Sequence, residues 1–573
     1  MSQEPPRDLA AQVLMCAGLQ IPLRDGVTLN ATVYLPKAHP EPAPCIFTLT
    51  PYISDTFHDR GLYFAAHGWP FAIIDVRGRG NSQGVFSPNL QEARDGFDVV
   101  NWLASQPYCN GKVGMWGGSY AGYSQWAVAK EFPKQLATIV PVAAPYLGVD
   151  FPMRNNIFSP YGMQWLAFTS GRTSQAILFQ DSAFWNERFR AHFEKGAPLK
   201  TFDEAVGYPS AIFQEWLEHP HPDEFWDRYN PSSEQYARLE LPILTITGIY
   251  DDDQPGALMH YREHMRLGTT TATNQHYLVI GPWDHAGTRT PQIRVGGLEF
   301  GPESLVDLGQ LHLQWYHWTL LGGSRPEFLR DRVAYYVTGA EKWRYANTLE
   351  GVTVRKDPYY LHSRTNPTGV FQSGTLAMRP PSDSPSAHYT YDPMDVRTAE
   401  LQSRMDPFSL VDQRLILASS GGHWIFHSDV FEAQSEISGF FELTAWLAID
   451  QPDTDFEVSV HEVLPDGSSV LLTTDRLRAR YRENLREPKL VRTRAPIRYD
   501  FTHFTFVARQ ISKGSRLRLM LGPLNSIFNE KNSNCGGAVA HESMQAGRPV
   551  NVFLHHDSAH PSVLHVPIGS TPP

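Results

Sequence analysis

A serine stands at the centre of a glycine-rich turn near position 119. Lys112–Trp116 reads as a short apolar strand, two glycines follow it, and a helical pattern begins just after Ser119. A strand that turns tightly into a helix exposes the hydroxyl at its apex, with the first N–H groups of the helix beside it. This context predicts a nucleophile elbow, in which Ser119 attacks a carbonyl and the Tyr120 N–H binds the oxyanion. A strict G-x-S-x-G motif would have glycine in place of Ala121, and such turns also occur without chemistry.

An acid and a histidine follow the serine in the order that this chemistry needs. A serine hydroxyl is a weak nucleophile until a base takes its proton, and a third group must orient the base. Asp251 ends one apolar strand and His285 follows the next, so both stand just past strand ends. Ser119, Asp251 and His285 are therefore the predicted catalytic triad. Asp284 is a second candidate acid, and the run of acids that begins at Asp251 would also fit a solvated loop.

The elements that must position these residues come from stretches of different character. Strand and helix patterns alternate over residues 1–145 and again over 241–350, which predicts an α/β catalytic domain built on a parallel sheet. Between them, residues 146–240 lose the strand pattern and gain aromatic helices, which predicts a cap over the active site. Over residues 351–573, short alternating segments separated by turn residues predict an all-β jelly roll.

Family motifs extend beyond the triad itself. They occupy Asp75–Gly84, Gly118–Gly122, Gly248–Asp251 and Gly281–His285. In these segments the chain resembles the cocaine-esterase-like serine hydrolases, a group that also holds α-amino-acid ester hydrolases and X-Pro dipeptidyl peptidases. The elbow of that family is G-x-S-Y-x-G, which this sequence fits. The resemblance covers essentially the whole chain and implies an α/β-hydrolase domain, an inserted helical cap and a C-terminal, galactose-binding-like jelly roll.

The resemblance also assigns roles to individual residues. It implies Ser119 as the nucleophile, Asp251 as the orienting acid and His285 as the general base. Tyr52, which follows a predicted strand, takes the place of the family's phenolic oxyanion donor, beside the Tyr120 N–H. This mechanism needs neither a cofactor nor a metal.

Several residues are candidates for the substrate pocket. The related α-amino-acid ester hydrolases place carboxylates two and three positions beyond the triad acid to hold an ammonium group, and here those positions are Asp253 and Gln254. Asp253 could pair with an α-amine or lie in a solvated loop, since one exposed carboxylate holds a cation weakly. Trp165 and Phe168 in the cap, and Trp283 near the histidine, could line an apolar acyl pocket or belong to the core.

The leading prediction is a carboxylic ester hydrolase that cleaves esters, or amides, of small acyl groups through an acyl-enzyme. Within the same chemistry, the alternatives are an α-amino-acid ester hydrolase or β-lactam acylase, and an X-Pro dipeptidyl peptidase. A hypothesis from another class is a protein that binds ligands through its jelly roll and carries an inactive hydrolase domain. The complete triad argues against that hypothesis.

Composition limits the partners of the protein. A net charge of −11 without a long basic block argues against nucleic-acid binding. The four cysteines are far apart, which predicts reduced thiols, and His555, Asp557 and His560 are interpreted as a turn of the jelly roll rather than a metal site. Neither a signal peptide nor a long apolar run is apparent, so we expect a cytoplasmic protein without a membrane partner. The expected partner is a small ester or amide, and a homo-oligomer stays open.

Overall fold

The computed structural model describes residues 7–38, 41–419 and 421–570. The first part of the catalytic domain alternates strands and helices. In chain order its elements are α1 (Arg7–Ala11), β1 (Val13–Pro22), β2 (Thr28–Pro36), β3 (Ala43–Thr50), α2 (His58–Ala66), β4 (Phe71–Asp75), α3 (Glu92–Ala104), β5 (Cys109–Gly118), α4 (Tyr120–Ala129) and β6 (Leu136–Val142). Strand β4 is buried at every position, which explains its unbroken apolar pattern.

After β6 the chain leaves the sheet and forms a helical insert. Its elements are β7 (Met153–Arg154), β8 (Ile157–Phe158), α5 (Tyr161–Phe168), α6 (Ala176–Gln180), α7 (Ser182–Lys195), α8 (Phe202–Ala205), α9 (Ala211–Leu217), α10 (Glu224–Asp227) and α11 (Ser233–Arg238). Trp185, Trp216 and Trp226 are buried inside this cap, and they belong to the same apolar core as residues of the catalytic domain. The cap therefore lies between two halves of one sheet.

The sheet is completed after the cap. The elements are β9 (Ile243–Tyr250), α12 (Gln254–Leu267), α13 (Thr270–Thr273), β10 (His276–Asp284), β11 (Arg294–Val295), β12 (Leu298–Glu299), α14 (Leu308–Leu321), β13 (Val333–Val337) and β14 (Lys342–Ala346). The strand order is β1-β2-β4-β3-β5-β6-β9-β10-β13-β14, and neighbouring strands are parallel from β4 to β13. The carboxyl ends of β3, β5, β9 and β10 therefore meet at one edge, where such folds carry their sites.

The C-terminal domain is built almost wholly of strands. Its elements are β15 (Arg355–His362), β16 (Gly374–Ala377), β17 (Ala387–Tyr391), α15 (Ala399–Arg404), α16 (Arg414–Ala418), β18 (Trp424–Ser428), β19 (Ser435–Gly439), β20 (Glu442–Ile449), β21 (Asp455–Val463), β22 (Ser469–Arg478), β23 (Ile497–Phe501), β24 (Val507–Ile511), β25 (Arg516–Pro523), β26 (Val550–His555) and β27 (Val563–Ile568). Most strand pairs are antiparallel, and the inward residues form one continuous core. The predicted fold class is confirmed. Among the described residues, no helix has the length and apolar character needed to cross a membrane.

The cap and the jelly roll are joined through a buried arginine. Arg478 donates to both oxygens of Asp455, at 2.8 and 2.9 Å, and to Glu530 Oε1 at 2.7 Å. Its remaining terminal nitrogen donates to the backbone carbonyl of Asn156 in the cap at 3.0 Å. The three side chains are almost wholly buried. This interface cluster, Arg478 with Asp455, Glu530 and Asn156, fixes the cap against the β domain.

Candidate active site

Ser119 lies at the apex of the turn between β5 and α4. Its backbone has φ 60° and ψ −127°, a conformation that L-residues rarely adopt, and its N–H donates to Val142 O at 2.9 Å. A Cβ on Gly122 would lie 2.5 Å from that same carbonyl oxygen. The close approach of α4 to β6 therefore requires glycine at 122, whereas position 121 tolerates alanine. This explains why the elbow departs from the strict motif.

His285 and Asp251 come together after β10 and β9. His285 Nδ1 lies 2.8 Å from Asp251 Oδ1, and Nδ1 is the donor because a carboxylate only accepts. The Thr247 hydroxyl donates to Asp251 Oδ2 at 2.8 Å, and the Asp253 N–H donates to Oδ1 at 3.1 Å. The carboxylate is thus fixed on three sides. This tautomer leaves the lone pair of His285 Nε2 free to accept a proton, as a general base must.

Asp284, the second candidate acid, has a different partner. Its Oδ1 accepts the Gly287 N–H at 2.7 Å and closes the turn after β10. The Thr288 hydroxyl donates to the His285 carbonyl at 2.7 Å in the same turn. Asp284 therefore shapes the loop that carries the histidine, and Asp251 is the acid that contacts the imidazole.

The electrostatics of the pair follow from burial and from nearby charges. Burial and the Arg289 cation lower the pKa of His285, but the carboxylates of Asp253 and Asp251 outweigh them, so this pKa is raised above its ordinary value. Burial alone would raise the pKa of Asp251, but the hydrogen bond and charge of His285 and the Thr247 hydroxyl hold it below the ordinary value. Asp251 thus stays ionised and stabilises the imidazolium that a proton transfer creates.

Within the described chain, no hydrogen bond joins the Ser119 hydroxyl to the His285 ring. Such catalytic hydrogen bonds are often long without substrate and tighten in the Michaelis complex. The two residues lie at the same sheet edge, and the Arg289 side chain packs against Gly118, directly before Ser119, while its charge acts on His285. The structure therefore brings nucleophile and base to one site.

Tyr52 lies beside the elbow with its hydroxyl oriented by the cap. It follows β3, and its Oη accepts a hydrogen bond from Trp165 Nε1 at 3.1 Å. Because the indole N–H occupies an acceptor position of this oxygen, the phenolic hydrogen is left to donate elsewhere. Phe168 stacks on the Tyr52 ring, with centroids 5.0 Å apart and planes at 20°. Burial raises the pKa of Tyr52, against the opposing effects of Trp165 and the Ser119 hydroxyl, so the phenol stays a hydrogen-bond donor.

Tyr120 contributes its backbone rather than its ring. Its hydroxyl donates to Glu92 and accepts the Asn89 N–H at 2.8 Å, away from Ser119. Burial raises the pKa of Glu92 to about 7, which the hydrogen bond from Tyr120 partly opposes. The N–H groups of the first helical turn have no partner within a helix. The Tyr120 N–H, at the start of α4 directly after Ser119, is therefore positioned to bind an oxyanion.

The structure divides the predicted pocket residues. Trp165 and Phe168 lie at the site, where they contact Tyr52, and Trp165 also stacks on Tyr120 with centroids 5.9 Å apart. The prediction that Trp283 lines the pocket is wrong. Its ring is fully buried within the core, and its indole donates to Ser304 O at 2.9 Å. Trp283 stands two positions before His285, on the part of the strand that packs inward.

The side chains of Asp253 and Gln254 have different environments. Asp253 Oδ2 lies 3.7 Å from His285 Nδ1, and its side chain is only 16% exposed, so it belongs to the site and not to a solvated loop. The Gln254 carboxamide donates to the carbonyls of Gly248 and Ile249, each at 3.0 Å, and accepts the Phe506 N–H at 2.7 Å. Gln254 therefore ties the triad loop to the jelly roll and has no spare group for a ligand.

Three residues near the site were not predicted. Arg79 is fully buried and donates to Pro51 O at 2.8 Å and to Thr169 O at 2.6 Å, so it holds the Tyr52 loop against the cap. Asp150, from the start of the cap, accepts the Gly256 N–H at 2.5 Å, and burial raises its pKa to about 8. Arg289 follows His285 by four positions. Only Arg79 lies in a sequence motif. The importance of Asp150 and Arg289 follows from contacts between segments that are distant in the sequence.

One cluster outside the site has the composition of a metal site. Ligand atoms of His555, Asp557 and His560 all lie within 4.8 Å of one another among the described residues. Asp557 Oδ1 lies 3.3 Å from His560 Nδ1 and accepts the His560 N–H at 2.8 Å, so hydrogen bonds already account for the turn. Its interpretation as a structural turn stays a prediction.

Two family models match the chain. The model for X-Pro dipeptidyl-peptidase (S15 family) matches residues 25–287, and the model for the X-Pro dipeptidyl-peptidase C-terminal non-catalytic domain matches residues 329–565. The first match contains Ser119, Asp251 and His285, and the second covers most of the jelly roll. Together they span most of the sequence.

Relatives resemble the chain over its whole length. The cocaine esterase of Rhodococcus sp. (strain MB1 Bresler) is 24% identical over 97% of this chain and 98% of its own. A solved α-amino acid ester hydrolase superposes with a TM-score of 0.84 at 20% identity, covering 99% of this chain and 98% of that one. A solved aminopeptidase from a marine sediment Thaumarchaeota archaeon gives a TM-score of 0.81 at 19% identity, covering 100% and 98%. The structural likeness extends to all the domains.

Proposed function

Since the chain belongs to the X-Pro dipeptidyl-peptidase (S15) family of serine hydrolases, we propose that it cleaves carboxylic esters of small acyl groups through an acyl-enzyme on Ser119. Membership confirms the resemblance that the sequence motifs predicted, and the protein is an enzyme of the serine hydrolase class. The observation that carries the proposal is the 2.8 Å hydrogen bond between His285 and the buried Asp251, at the sheet edge where Ser119 stands at the apex of its elbow. Such a constellation activates a serine toward carbonyl carbon.

Acylation begins when His285 Nε2 removes the Ser119 proton as Oγ attacks the carbonyl carbon. Asp251 keeps the imidazole in the required tautomer and stabilises its positive charge. The negative charge that develops on the carbonyl oxygen is bound by the Tyr52 hydroxyl and the Tyr120 N–H. The tetrahedral intermediate collapses when His285 gives its proton to the leaving alcohol, whose bond to carbon breaks.

Deacylation repeats the same steps with water. His285 removes a proton from water, the hydroxide attacks the acyl carbon, and the same two donors bind the oxyanion. The bond to Ser119 Oγ breaks as His285 returns the proton to it, and the acid product leaves. Every proton is accounted for by His285, so the proposed cycle requires no cofactor and no metal.

An ester is favoured over an X-Pro peptide as the substrate. A relative that matches over 98% of its own length, at 24% identity, is named a cocaine esterase, which supports ester cleavage. An X-Pro peptidase needs a group in the cap that binds the amino terminus of its substrate, and the aromatic contacts of Trp165 and Phe168 with Tyr52 supply an apolar surface instead. The X-Pro peptidase therefore remains an alternative within the family.

A second candidate, an α-amino-acid ester hydrolase, is favoured by the carboxyl groups around His285. Asp253 is 3.7 Å from the ring, and burial, together with the neighbouring Asp150 and Asp251, raises its pKa well above the ordinary value. Crowded carboxyl groups of this kind would be relieved by an ammonium ion. Gln254 does not contribute, because its carboxamide is engaged by backbone groups.

Initial rates on a mixed panel test the proposal. The panel holds 4-nitrophenyl esters, an aryl benzoate, phenylglycine methyl ester with phenylacetate methyl ester as its match, and an Xaa-Pro anilide. We expect wild type to cleave the simple esters and Ser119→Ala to cleave none. A clear preference for phenylglycine over phenylacetate, abolished in Asp253→Asn, would support the second candidate. Cleavage of the anilide alone would contradict the ester proposal.

The location of the protein is proposed to be the cytoplasm. This is supported by Cys16, Cys45, Cys109 and Cys535, which are all free thiols, as is usual in a reducing compartment. Fractionation of the source cells with an antibody against the protein would check the proposal, and recovery outside the cytoplasmic fraction would contradict it. The proposed partner is the substrate itself, a small ester or amide. A homo-oligomer stays a prediction.

A further inference from the structure

Arg289 places a guanidinium beside the nucleophile. A Cβ built on Gly118 would lie 2.7 Å from both Cδ and Nη1 of this arginine. Gly118 directly precedes Ser119, so the absence of a side chain at 118 makes the room that Arg289 occupies. The positive charge of Arg289 also acts to lower the pKa of His285 and the pKa of Tyr52. Arg289 therefore lies among the nucleophile, the base and the proposed oxyanion donor.

Among the described residues, this guanidinium has no hydrogen-bond or ion-pair partner. Nη1 is buried and makes no hydrogen bond among the described residues. No carboxylate of the described residues forms an ion pair with Arg289. Asp251 and Asp253, whose charges act on it, lie instead against His285 Nδ1, at 2.8 and 3.7 Å. Arg289 as a residue is only partly buried, but a donor such as Nη1 that is shielded from water and unbonded costs free energy unless a ligand completes it.

The loop that presents Arg289 is held in place. Its backbone N–H donates to Ala286 O at 3.1 Å, and its carbonyl accepts a hydrogen bond from Arg60 Nη2 at 3.0 Å. Arg60 also donates to the Thr290 hydroxyl at 3.2 Å. The backbone that carries the unpaired guanidinium is thus held in place, and the side chain itself is positioned by its packing on Gly118 rather than by a hydrogen-bond partner.

We propose that Arg289 binds a carboxylate of the substrate, so that the preferred esters carry one carboxylate in addition to the bond that is cleaved. The proposal rests on the proposed ester hydrolysis at Ser119 and extends it to a substrate class. A planar guanidinium matches a carboxylate with paired N–H donors.

The charge around Arg289 favours a single negative charge on the ligand. Asp251 and Asp253 lie close enough to act on Arg289, so a doubly charged phosphate would meet more repulsion than a carboxylate. Asp253 lies on the Nδ1 side of His285, whereas Arg289 packs on Gly118 at the elbow. Because Arg289 as a residue is only partly buried, a ligand carboxylate can reach the part of the guanidinium that is not packed on Gly118. The carboxylate belongs either to the acyl group or to the leaving group.

Matched ester pairs test the proposal and tell these two sources apart. Mono-(4-nitrophenyl) glutarate against 4-nitrophenyl pentanoate probes the acyl side. The butanoyl ester of 4-hydroxybenzoate against that of methyl 4-hydroxybenzoate probes the leaving side. The measured quantity is kcat/KM of the carboxylate ester divided by that of its neutral match, which cancels general effects on catalysis. The variants are Arg289→Gln, Arg289→Lys and, as an exposed charge-matched control in the neighbouring strand β11, Arg294→Gln.

We expect wild type to favour the carboxylate ester in at least one pair. Arg289→Gln should lower that ratio by roughly tenfold to a hundredfold, which is the loss of affinity expected when a hydrogen bond between charged groups is removed. Arg289→Lys should fall between, since it keeps the charge without the paired donors, and Arg294→Gln should match wild type. Ratios that are the same in Arg289→Gln and wild type for both pairs would overturn the proposal.

A binding measurement keeps the proposal testable if ester hydrolysis itself fails. Calorimetry would compare the affinity of Ser119→Ala and of Ser119→Ala/Arg289→Gln for the carboxylate esters of both pairs. Tighter binding by tenfold or more in the single variant supports the carboxylate site even if wild type cleaves no ester on the panel, a result that would contradict only the proposed function. Equal affinities would overturn the carboxylate site while leaving hydrolysis of neutral esters standing.

Discussion

Two arginines with buried donor nitrogens occupy two regions of this molecule under opposite conditions. At the interface cluster, Arg478 has its donors directed at Asp455, Glu530 and Asn156 O, with all four hydrogen bonds between 2.7 and 3.0 Å. At the active site, Arg289 packs against Gly118 with Nη1 buried and unbonded. An arginine whose donor nitrogens are all paired within the protein links its domains, whereas an arginine with unpaired donor nitrogens is available to a ligand.

The same contrast holds for buried carboxylates. Asp455 and Glu530 face a permanent cation, so their charge is neutralised by a partner that cannot lose its proton. Asp251 faces His285, whose charge appears and disappears with proton transfer. The partner of the carboxylates therefore keeps its charge at the interface, whereas at the active site the charge of the partner changes with proton transfer. Substitutions in the two regions should accordingly affect different measurements.

The largest effect is expected at the nucleophile and base. Ser119→Ala and His285→Ala should each lower kcat by several orders of magnitude, and the double variant should cost about as much as either one, because the two groups act in one step. Thermal unfolding should stay close to wild type. A Ser119→Ala enzyme that kept a tenth of wild-type activity would contradict the assignment.

At the interface, the expected effect is on stability. Arg478→Gln leaves Asp455 and Glu530 buried without their cation, which should lower the free energy of unfolding by about 3–5 kcal/mol. Urea unfolding measures it. The matched control is Arg498→Gln, whose pair with Asp500 is exposed and should contribute about 1 kcal/mol or less. Equal losses in both variants would mean that the interface cluster contributes nothing special.

The oxyanion donor should give a smaller loss of activity. Tyr52→Phe removes the hydroxyl and should lower kcat by roughly a hundredfold. Trp165→Phe removes the N–H that orients this hydroxyl, so it should lower kcat by less and have no further effect once Tyr52 is already phenylalanine. Initial rates of the two single variants and the double variant check this. Additive losses would show that Trp165 acts independently of Tyr52.

The smallest expected effect is a shift of the pH profile. His285 must be neutral to act as a base, and its raised pKa places the acid limb of kcat/KM at a higher pH than an ordinary histidine would. Asp253→Asn removes an anion that favours the imidazolium, so the midpoint should move to lower pH. The control Asp466→Asn changes the same charge at an exposed site of the jelly roll and should leave the midpoint in place. A shift to higher pH in Asp253→Asn would contradict the electrostatic account.

The three residues of the predicted triad could be found in the sequence because chain order and strand ends determine where they lie. Ser119, Asp251 and His285 each follow an apolar strand, and a parallel sheet brings such positions to one edge. Trp283 was misassigned because closeness in sequence to the histidine does not say which way a side chain points within a strand that is buried on both faces.

The contacts of the two arginines lay beyond prediction for a different reason. Arg478 is 322 positions from Asn156 and 52 positions from Glu530 in the sequence. Arg289 contacts Gly118 only because β5 and β10 belong to the same sheet. No local pattern marks an arginine as satisfied or open. That distinction arises only from tertiary packing, which is why the carboxylate site required the structure.

The most direct test of the central claim is labelling with a fluorophosphonate, followed by mass spectrometry of the peptides. The account predicts one modified residue, Ser119, in wild type, no modification in Ser119→Ala, and strongly slowed labelling in His285→Ala. A wild-type protein that is folded but unlabelled, or labelled at another serine, would contradict the claim that Ser119, activated by His285 and Asp251, is the nucleophile.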